Sequence, residues 1–174
     1  SDEAWENLPA REAESVHIAE FHGVLDGDNS ELSGNWERLF AIRDEVLKSL
    51  EAARNDKKIG SSLEAKVLLT TDAETTRFLL DYFEQLRYIF IVSQVEVHES
   101  EWSPSLANET ANVHIEHESL SRVRFRKIEI QKADGEKCER CWNYSTRVGE
   151  FEKYPTVCER CADALNELFE QAEN

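Results

Sequence analysis

The sequence predicts an α+β fold with three parts: a long helix, a small mixed α/β layer, and a cysteine-based module that ends in a short helix. Three patterns predict it. Apolar residues recur three and four positions apart over 36–54, strand-like runs and a helical run share 63–130, and all four cysteines fall within 138–161. The length of 174 residues suits one domain or two small ones.

The first part is expected to be an acidic, irregular stretch over 1–32 followed by the long helix over about 36–54. Ser33 or Asn35 is a suitable cap for this helix. Arg43 falls within the apolar stripe. We expect a structural role for it, either with its charged end reaching solvent or with a buried carboxylate as partner.

The second part reads as strands around one helix. We predict a strand over 63–70, a helix over 72–86, and a second strand over 88–97 whose apolar start is covered on both faces. Alternating residues over 112–118 and 122–130 predict two further, antiparallel strands. The mixture of strands and helix predicts a small α/β layer.

The charge is strongly negative overall and unevenly spread. The formal net charge is −16, which argues against a general nucleic-acid-binding protein. Residues 121–161 nevertheless hold ten Lys and Arg against seven Asp and Glu. Arg122, Arg124 and Arg126 would share one strand face, and a solvated face is favoured there over an RNA-binding one.

The cysteines form two Cys-x-x-Cys pairs with sixteen residues between them. Each pair can aim two sulfurs at one point, and two pairs supply the four thiolates of a tetrahedral Zn²⁺ site. Four ligands close the coordination shell, so the zinc would be structural rather than catalytic. Two disulfides, a redox dithiol and an iron centre are the alternatives. The proposed ligands are Cys138, Cys141, Cys158 and Cys161.

A resemblance to a known family rests on these cysteines and on three upstream stretches. The run CERCW over 138–142, with CERC over 158–161, resembles the C-terminal zinc module of bacterial-type isoleucyl-tRNA synthetases. The stretches ESVH at 14–17, ARNDKKIGSSLEA at 53–65 and IFIVSQV at 89–95 agree with the same family, in the same order. The resemblance covers almost the whole chain.

The resemblance implies a division and a partner. Residues 1–56 would end the helical anticodon-binding region, 57–132 would form an α/β junction, and 133–174 would form the zinc-binding module. The partner would be the anticodon arm of isoleucine tRNA, bound in the context of the whole enzyme. A monomer in the cytoplasm is expected, and clustered reduced cysteines fit that compartment.

The candidate RNA-binding residues lie around the zinc ligands in sequence: Arg140, Trp142, Arg147 and Arg160. Aromatic rings and guanidinium groups recognise single-stranded RNA loops by stacking and phosphate contacts. Trp142 could equally pack against the zinc core. Arg140 and Arg160 could instead offset the charge of the thiolates.

The chain lacks the ATP-binding signatures of the whole synthetase, and it contains no methionine. We therefore expect no catalytic residues here, and a processed piece or excised fragment of an ATP-dependent ligase. The remaining alternative function is a zinc-stabilised protein-interaction module without RNA binding. No apolar run is long enough to cross a membrane.

Overall fold

The computed structural model describes the chain in five stretches and divides it into two compact units. The units are Ser1–Ser33 and Gly34–Asn174. The described residues are 2–9, 13–20, 30–100, 113–114 and 124–172.

The first unit contains a short helix, α1 (Asp2–Glu6), and a 3-10 turn at Val16–Ile18. Asp2 joins the two, because its Oδ1 accepts hydrogen bonds from Ser15 Oγ at 2.7 Å and from Val16 N at 3.1 Å. The prediction that this stretch is irregular was therefore wrong for these residues. Local capping by Asp and Ser side chains stabilises turns that an apolar period does not reveal.

The long helix is α2 (Ser30–Asn55), which confirms the predicted element but begins six residues earlier. Ser33 and Asn35 lie inside it rather than capping it. Arg43 has a structural role, but its partner is a main-chain carbonyl instead of a carboxylate: Nε donates to Ile89 O at 2.9 Å. The buried face of the helix consists of Leu39, Ile42, Val46, Leu50 and Ala53.

The main sheet has four strands in the order β2-β1-β4-β3. The central strand β1 (Ala65–Thr71) pairs in parallel with β2 (Gln94–Glu99) and antiparallel with β4 (Arg124–Lys132). At the far edge β3 (Val113–His114) pairs antiparallel with β4, as predicted for this pair. Alternate residues of β1 are buried, so one face of the strand packs on the helices.

Two helices, α3 (Ala73–Asp81) and α4 (Phe83–Phe90), connect β1 with its parallel neighbour. The predicted single helix breaks at Tyr82, and Asp72 caps α3 by accepting a hydrogen bond from Thr75 N at 2.8 Å. A parallel pair requires such a crossover connection.

The prediction of a strand from residue 88 was wrong in its first half, because α4 continues to Phe90. Leu86 and Phe90 are four apart and both fully buried, which is a helical spacing. The helix ends where Ile91 adopts a left-handed backbone conformation with φ 57°. A short apolar run rich in Ile, Phe and Tyr fits both the helical and the strand period. The sequence pattern therefore did not distinguish a helix from a strand here.

The C-terminal module consists of a two-stranded ribbon, β5 (Glu136–Lys137) and β6 (Tyr144–Ser145), and the terminal helix α5 (Glu159–Ala172). Gly135 opens the ribbon with φ 85°, and a Cβ there would lie 2.3 Å from Ser145 O. Leu165 packs on the module, whereas Leu168 is 55% exposed.

The described residues form two separate apolar cores. The larger one joins α2, α3 and α4 to the sheet, and the smaller one surrounds the cysteines. No helix in the described stretches is both long enough and apolar enough to cross a membrane.

Hydrogen bonds link the module to the α/β layer at the start of β2. Ser93, 4% exposed, donates from Oγ to Leu63 O at 2.5 Å and accepts from Tyr144 N at 2.7 Å. Gln94 exchanges two hydrogen bonds with the backbone of Asp134, at 2.8 and 3.0 Å. We call this polar contact, formed by Ser93, Gln94 and Asp134 with their partners, the seam.

We predict that Ser93→Ala lowers the free energy of unfolding by about 1–3 kcal/mol, because it leaves buried backbone groups without their partner. Denaturant unfolding of the zinc-saturated chain measures the change. Ser61→Ala is the control, since Ser61 is exposed and its side chain makes no capping hydrogen bond. A loss at Ser93 no larger than that of the control would contradict the structural role of the seam.

Candidate metal centre

The first cysteine turn closes the β5–β6 ribbon. Cys138 N donates to Asn143 O at 2.8 Å, and Trp142 N donates back to Cys138 O at 2.9 Å. These two bonds fold residues 138–143 into a tight loop with Cys141 on its inner side. The ribbon therefore fixes both sulfurs of this pair.

The second cysteine pair lies at the beginning of α5. Cys161 N and Ala162 N both donate to Cys158 O, at 3.0 and 2.9 Å, so Cys158 stands immediately before the first helical turn. One turn of helix brings the two sulfurs to the same side. The two pairs thus come from different local structures, a ribbon loop and a helix start.

The four Sγ atoms lie within 4.8 Å of one another, and the Cys141 and Cys158 sulfurs are 3.6 Å apart. Zn–S bonds of about 2.3 Å in a tetrahedron place sulfurs about 3.8 Å apart, so the cluster fits such an ion after a closure of about 1 Å at most. All four cysteines are free, which rules out the disulfide alternative in this structure. Three of the four are buried, and Cys141 is partly exposed.

The predicted RNA-binding residues fall in two places. Trp142 is 61% exposed, and Lys137 Nζ lies 5.3 Å from the centre of its ring. Its indole is therefore not part of the small apolar core. Arg140 lies beside the sulfur cluster, with Nη1 3.7 Å from Cys161 Sγ.

The other two, Arg147 and Arg160, line a cleft between the module and α4. The cleft has a volume of about 210 Å³. Arg147 is held by Glu150, with Nε 2.8 Å from Oε2. Arg160 Nη1 donates to Tyr88 Oη at 3.3 Å.

The predicted arginine face on the strand is only partly described. Arg122 lies outside the described residues, whereas Arg124 and Arg126 lie on β4. The register of β4 against β1 shifts between Phe125 and Lys127, so the predicted common face of the three arginines stays a prediction.

Two residues of the cleft, Arg87 and Tyr88, were missed by the sequence analysis. Reading 88–97 as a strand hid their position in the last turn of α4. The useful signal was the Leu86–Phe90 spacing, which places residues 87 and 88 toward the exposed side of a helix.

Comparison with known proteins matches residues 135–164 to a zinc-finger family described as found in FPG and IleRS. Isoleucine–tRNA ligase of Staphylococcus carnosus is 39% identical over 170 residues, which is 97% of this chain and 17% of that protein. The corresponding ligase of Syntrophotalea carbinolica is 40% identical over 96% of the chain, and that of Crocosphaera subtropica is 45% identical over 79%. The chain is homologous to part of the isoleucine–tRNA ligases. It covers 17% and 14% of those last two proteins.

The finger family and the cysteine geometry together are consistent with one structural zinc in this ligase homologue. Its thiols do not ionise equally by themselves. Burial raises the pKa of Cys158 to about 12 and also raises the pKa of Cys161. Burial opposes ionisation of the other pair too, but hydrogen bonds from backbone N–H groups, and from Asn143 to Cys141, lower both pKa values, that of Cys141 to about 6.

A divalent cation would resolve this asymmetry, because coordination deprotonates thiols regardless of their burial. Four thiolates and Zn²⁺ carry two excess negative charges. Arg140 lies beside Cys161 Sγ in the ligase homologue and would offset part of that charge. The residues able to hold the metal are thus supplied with a compensating cation.

We predict one tightly bound Zn²⁺ per chain in freshly purified protein, measured by elemental analysis. Cys158→Ser should reduce the metal content to well below half an equivalent, since three ligands hold structural zinc poorly. Glu139→Gln is the control, because it changes an exposed residue between two ligands without removing a sulfur. Iron in place of zinc would contradict the assignment.

We predict that chelation unfolds residues from about 135 onward and leaves the α/β layer folded, because the two apolar cores are separate. Hydrogen exchange measured before and after chelation reports this. Amides of α5 should lose protection while those of β1 keep it, and added zinc should restore the first group. Equal loss in β1 and α5 would show that the seam makes the two parts one cooperative unit.

Proposed function

We propose that this chain is the anticodon-side, tRNA-binding part of an isoleucine–tRNA ligase, shaped by one structural Zn²⁺ bound to the four cysteine sulfurs. Similarity to isoleucine–tRNA ligases over 96–97% of the chain supports the ligase assignment. The proposed division is 1–56 as the end of the anticodon-binding region, 57–132 as the junction and 133–174 as the zinc module. The ATP-dependent ligation would belong to the whole enzyme, a cytoplasmic monomer in this proposal.

The observation that carries the RNA-binding proposal is that Trp142 is exposed and has a left-handed backbone conformation. Its backbone is left-handed, with φ 65°, although it has a bulky side chain. Such a conformation is uncommon for residues other than glycine and costs on the order of 1 kcal/mol. Strained residues of this kind cluster at functional sites. The loop of residues 138–143 therefore holds the Trp142 ring toward solvent in a backbone conformation that disfavours a bulky side chain.

An exposed indole fixed in this way is suited to stacking on an unpaired base. Base stacking on aromatic side chains is tolerant of sequence and contributes roughly 1–3 kcal/mol per base. Lys137 lies over the same ring and can reach a phosphate beside it. An anticodon loop would offer such a site both an unpaired base for Trp142 and a backbone phosphate for Lys137.

The net charge of −16 limits how this binding would work. A negative protein gains little long-range attraction for RNA, so association should be weak and without strong electrostatic steering. Added salt should weaken it with a slope that reflects only a few phosphate contacts. Affinity would therefore depend on local cations and on stacking.

A zinc-stabilised protein-interaction module is the second candidate. Exposed apolar side chains on α3 and α4 favour it, among them Leu80 and Phe83, which are 53% and 42% exposed. An apolar surface of this kind suits contact with another protein or with another part of a larger one. The two functions differ in whether the chain binds RNA, because the interaction module would bind a protein instead.

We predict that Trp142→Ala weakens binding of an isoleucine-tRNA anticodon-arm hairpin by about 1–3 kcal/mol, because it removes the stacking surface. Zinc content should not change, since the indole lies outside the small apolar core. Trp36→Ala is the matched control, because it removes a partly exposed tryptophan from α2. Fluorescence anisotropy of labelled hairpin, with zinc measured on the same samples, tests it. Full zinc with unchanged affinity would exclude the stacking role.

A further inference from the structure

The cleft between α4 and the zinc module is lined by Arg87 and Arg160, and neither belongs to the proposed stacking site of Trp142 and Lys137. We propose, on the basis of the proposed function, that this cleft binds a backbone phosphate of the same RNA. Arg87 and Arg160 would be the phosphate ligands and Tyr88 the residue that positions them. RNA recognition would then extend beyond the zinc module into the α/β layer.

Tyr88 organises the cleft. Arg87 Nη2 donates to Tyr88 Oη at 2.7 Å, and Arg160 Nη1 donates to the same oxygen at 3.3 Å. Both guanidinium groups also lie over the ring, with their Cζ atoms 4.7 and 5.7 Å from its centre. The Tyr88 side chain, which is 52% exposed, therefore contacts both guanidinium groups and holds two like charges near each other despite their repulsion.

The charges in the cleft are not equally available. Arg147 is paired with Glu150, and Glu159 accepts a hydrogen bond from Ser145 Oγ at 2.8 Å. Arg160 is next to a proposed metal ligand, so part of its charge serves the thiolates. Within the described residues no carboxylate lies within 4.0 Å of Arg87. Arg87 is thus the cation that is free to neutralise a ligand.

The chemistry of the pair indicates a phosphate. Guanidinium groups bind phosphate oxygens through parallel hydrogen bonds, and phosphate is more often bound by arginines than by isolated lysines where geometry matters. The chain has 36 acidic residues and 20 basic ones, yet among the described residues no carboxylate forms an ion pair with either arginine of this pair. Their remaining N–H groups can therefore bind an anion from outside the chain. An RNA that stacks on Trp142 would bring its backbone phosphates to the same module, which also contains Arg160.

The test compares hairpin binding by Arg87→Gln and Arg77→Gln in the full 174-residue, zinc-loaded chain. Arg77 is an exposed arginine of α3, so both variants remove one positive charge from the same part of the chain. We expect Arg87→Gln to weaken binding roughly tenfold, as for a lost charged hydrogen bond, and to reduce the salt slope by about 0.7–0.9. Arg77→Gln should change neither. Arg87→Lys should keep the salt slope, because it keeps the charge.

The outcomes separate this inference from the proposed function. If Trp142→Ala weakens binding while Arg87→Gln matches Arg77→Gln, the cleft inference is overturned and the stacking function stands. If the unaltered chain does not bind the hairpin at all, both are overturned. Thermal unfolding of each variant shows whether a loss of binding comes from misfolding, and Arg87→Lys then supplies the independent comparison.

Discussion

The structure of the C-terminal module depends on bringing four sulfur atoms together in a segment that buries few other apolar side chains. Residues 138–161 contribute few apolar side chains, and the small core contains the cysteines themselves. Burial acts against charge at every one of the four thiols, and hydrogen bonds outweigh it only at Cys138 and Cys141, whose pKa values are lowered. Without a cation the thiols therefore differ in their tendency to ionise. A bound metal would hold all four sulfurs as thiolates, and its binding would supply much of the folding free energy of the ribbon and the start of α5.

The seam fixes how the module lies on the α/β layer within the second unit. Ser93 and Gln94 stand where α4 has ended and β2 begins, and both bond to the backbone of the module. Directional hydrogen bonds fix orientation better than apolar contact does, since apolar contact permits sliding. The arginines of the cleft come from α4 on one side and α5 on the other, so their separation is set across this seam.

The sequence predicted the long helix, the antiparallel pair β3–β4 and the cysteine cluster, because each follows from a regular period or spacing. It failed at residues 88–91, where Ile and Phe favour a strand locally but burial of Phe90 beside Leu86 favours a helix. The cleft could not be predicted for a second reason, the distance between its residues in sequence. Its residues, Arg87 and Arg160, are 73 positions apart in the chain and meet only through tertiary packing.

The left-handed backbone at position 142 also has a consequence for sequence variation. Selection for folding alone would favour glycine or asparagine there, since both adopt that conformation at little cost. A library randomised at this codon should therefore divide according to the pressure applied. Variants selected for zinc-dependent stability would shift toward small residues, whereas under the proposed stacking role those selected for RNA binding would retain an aromatic ring.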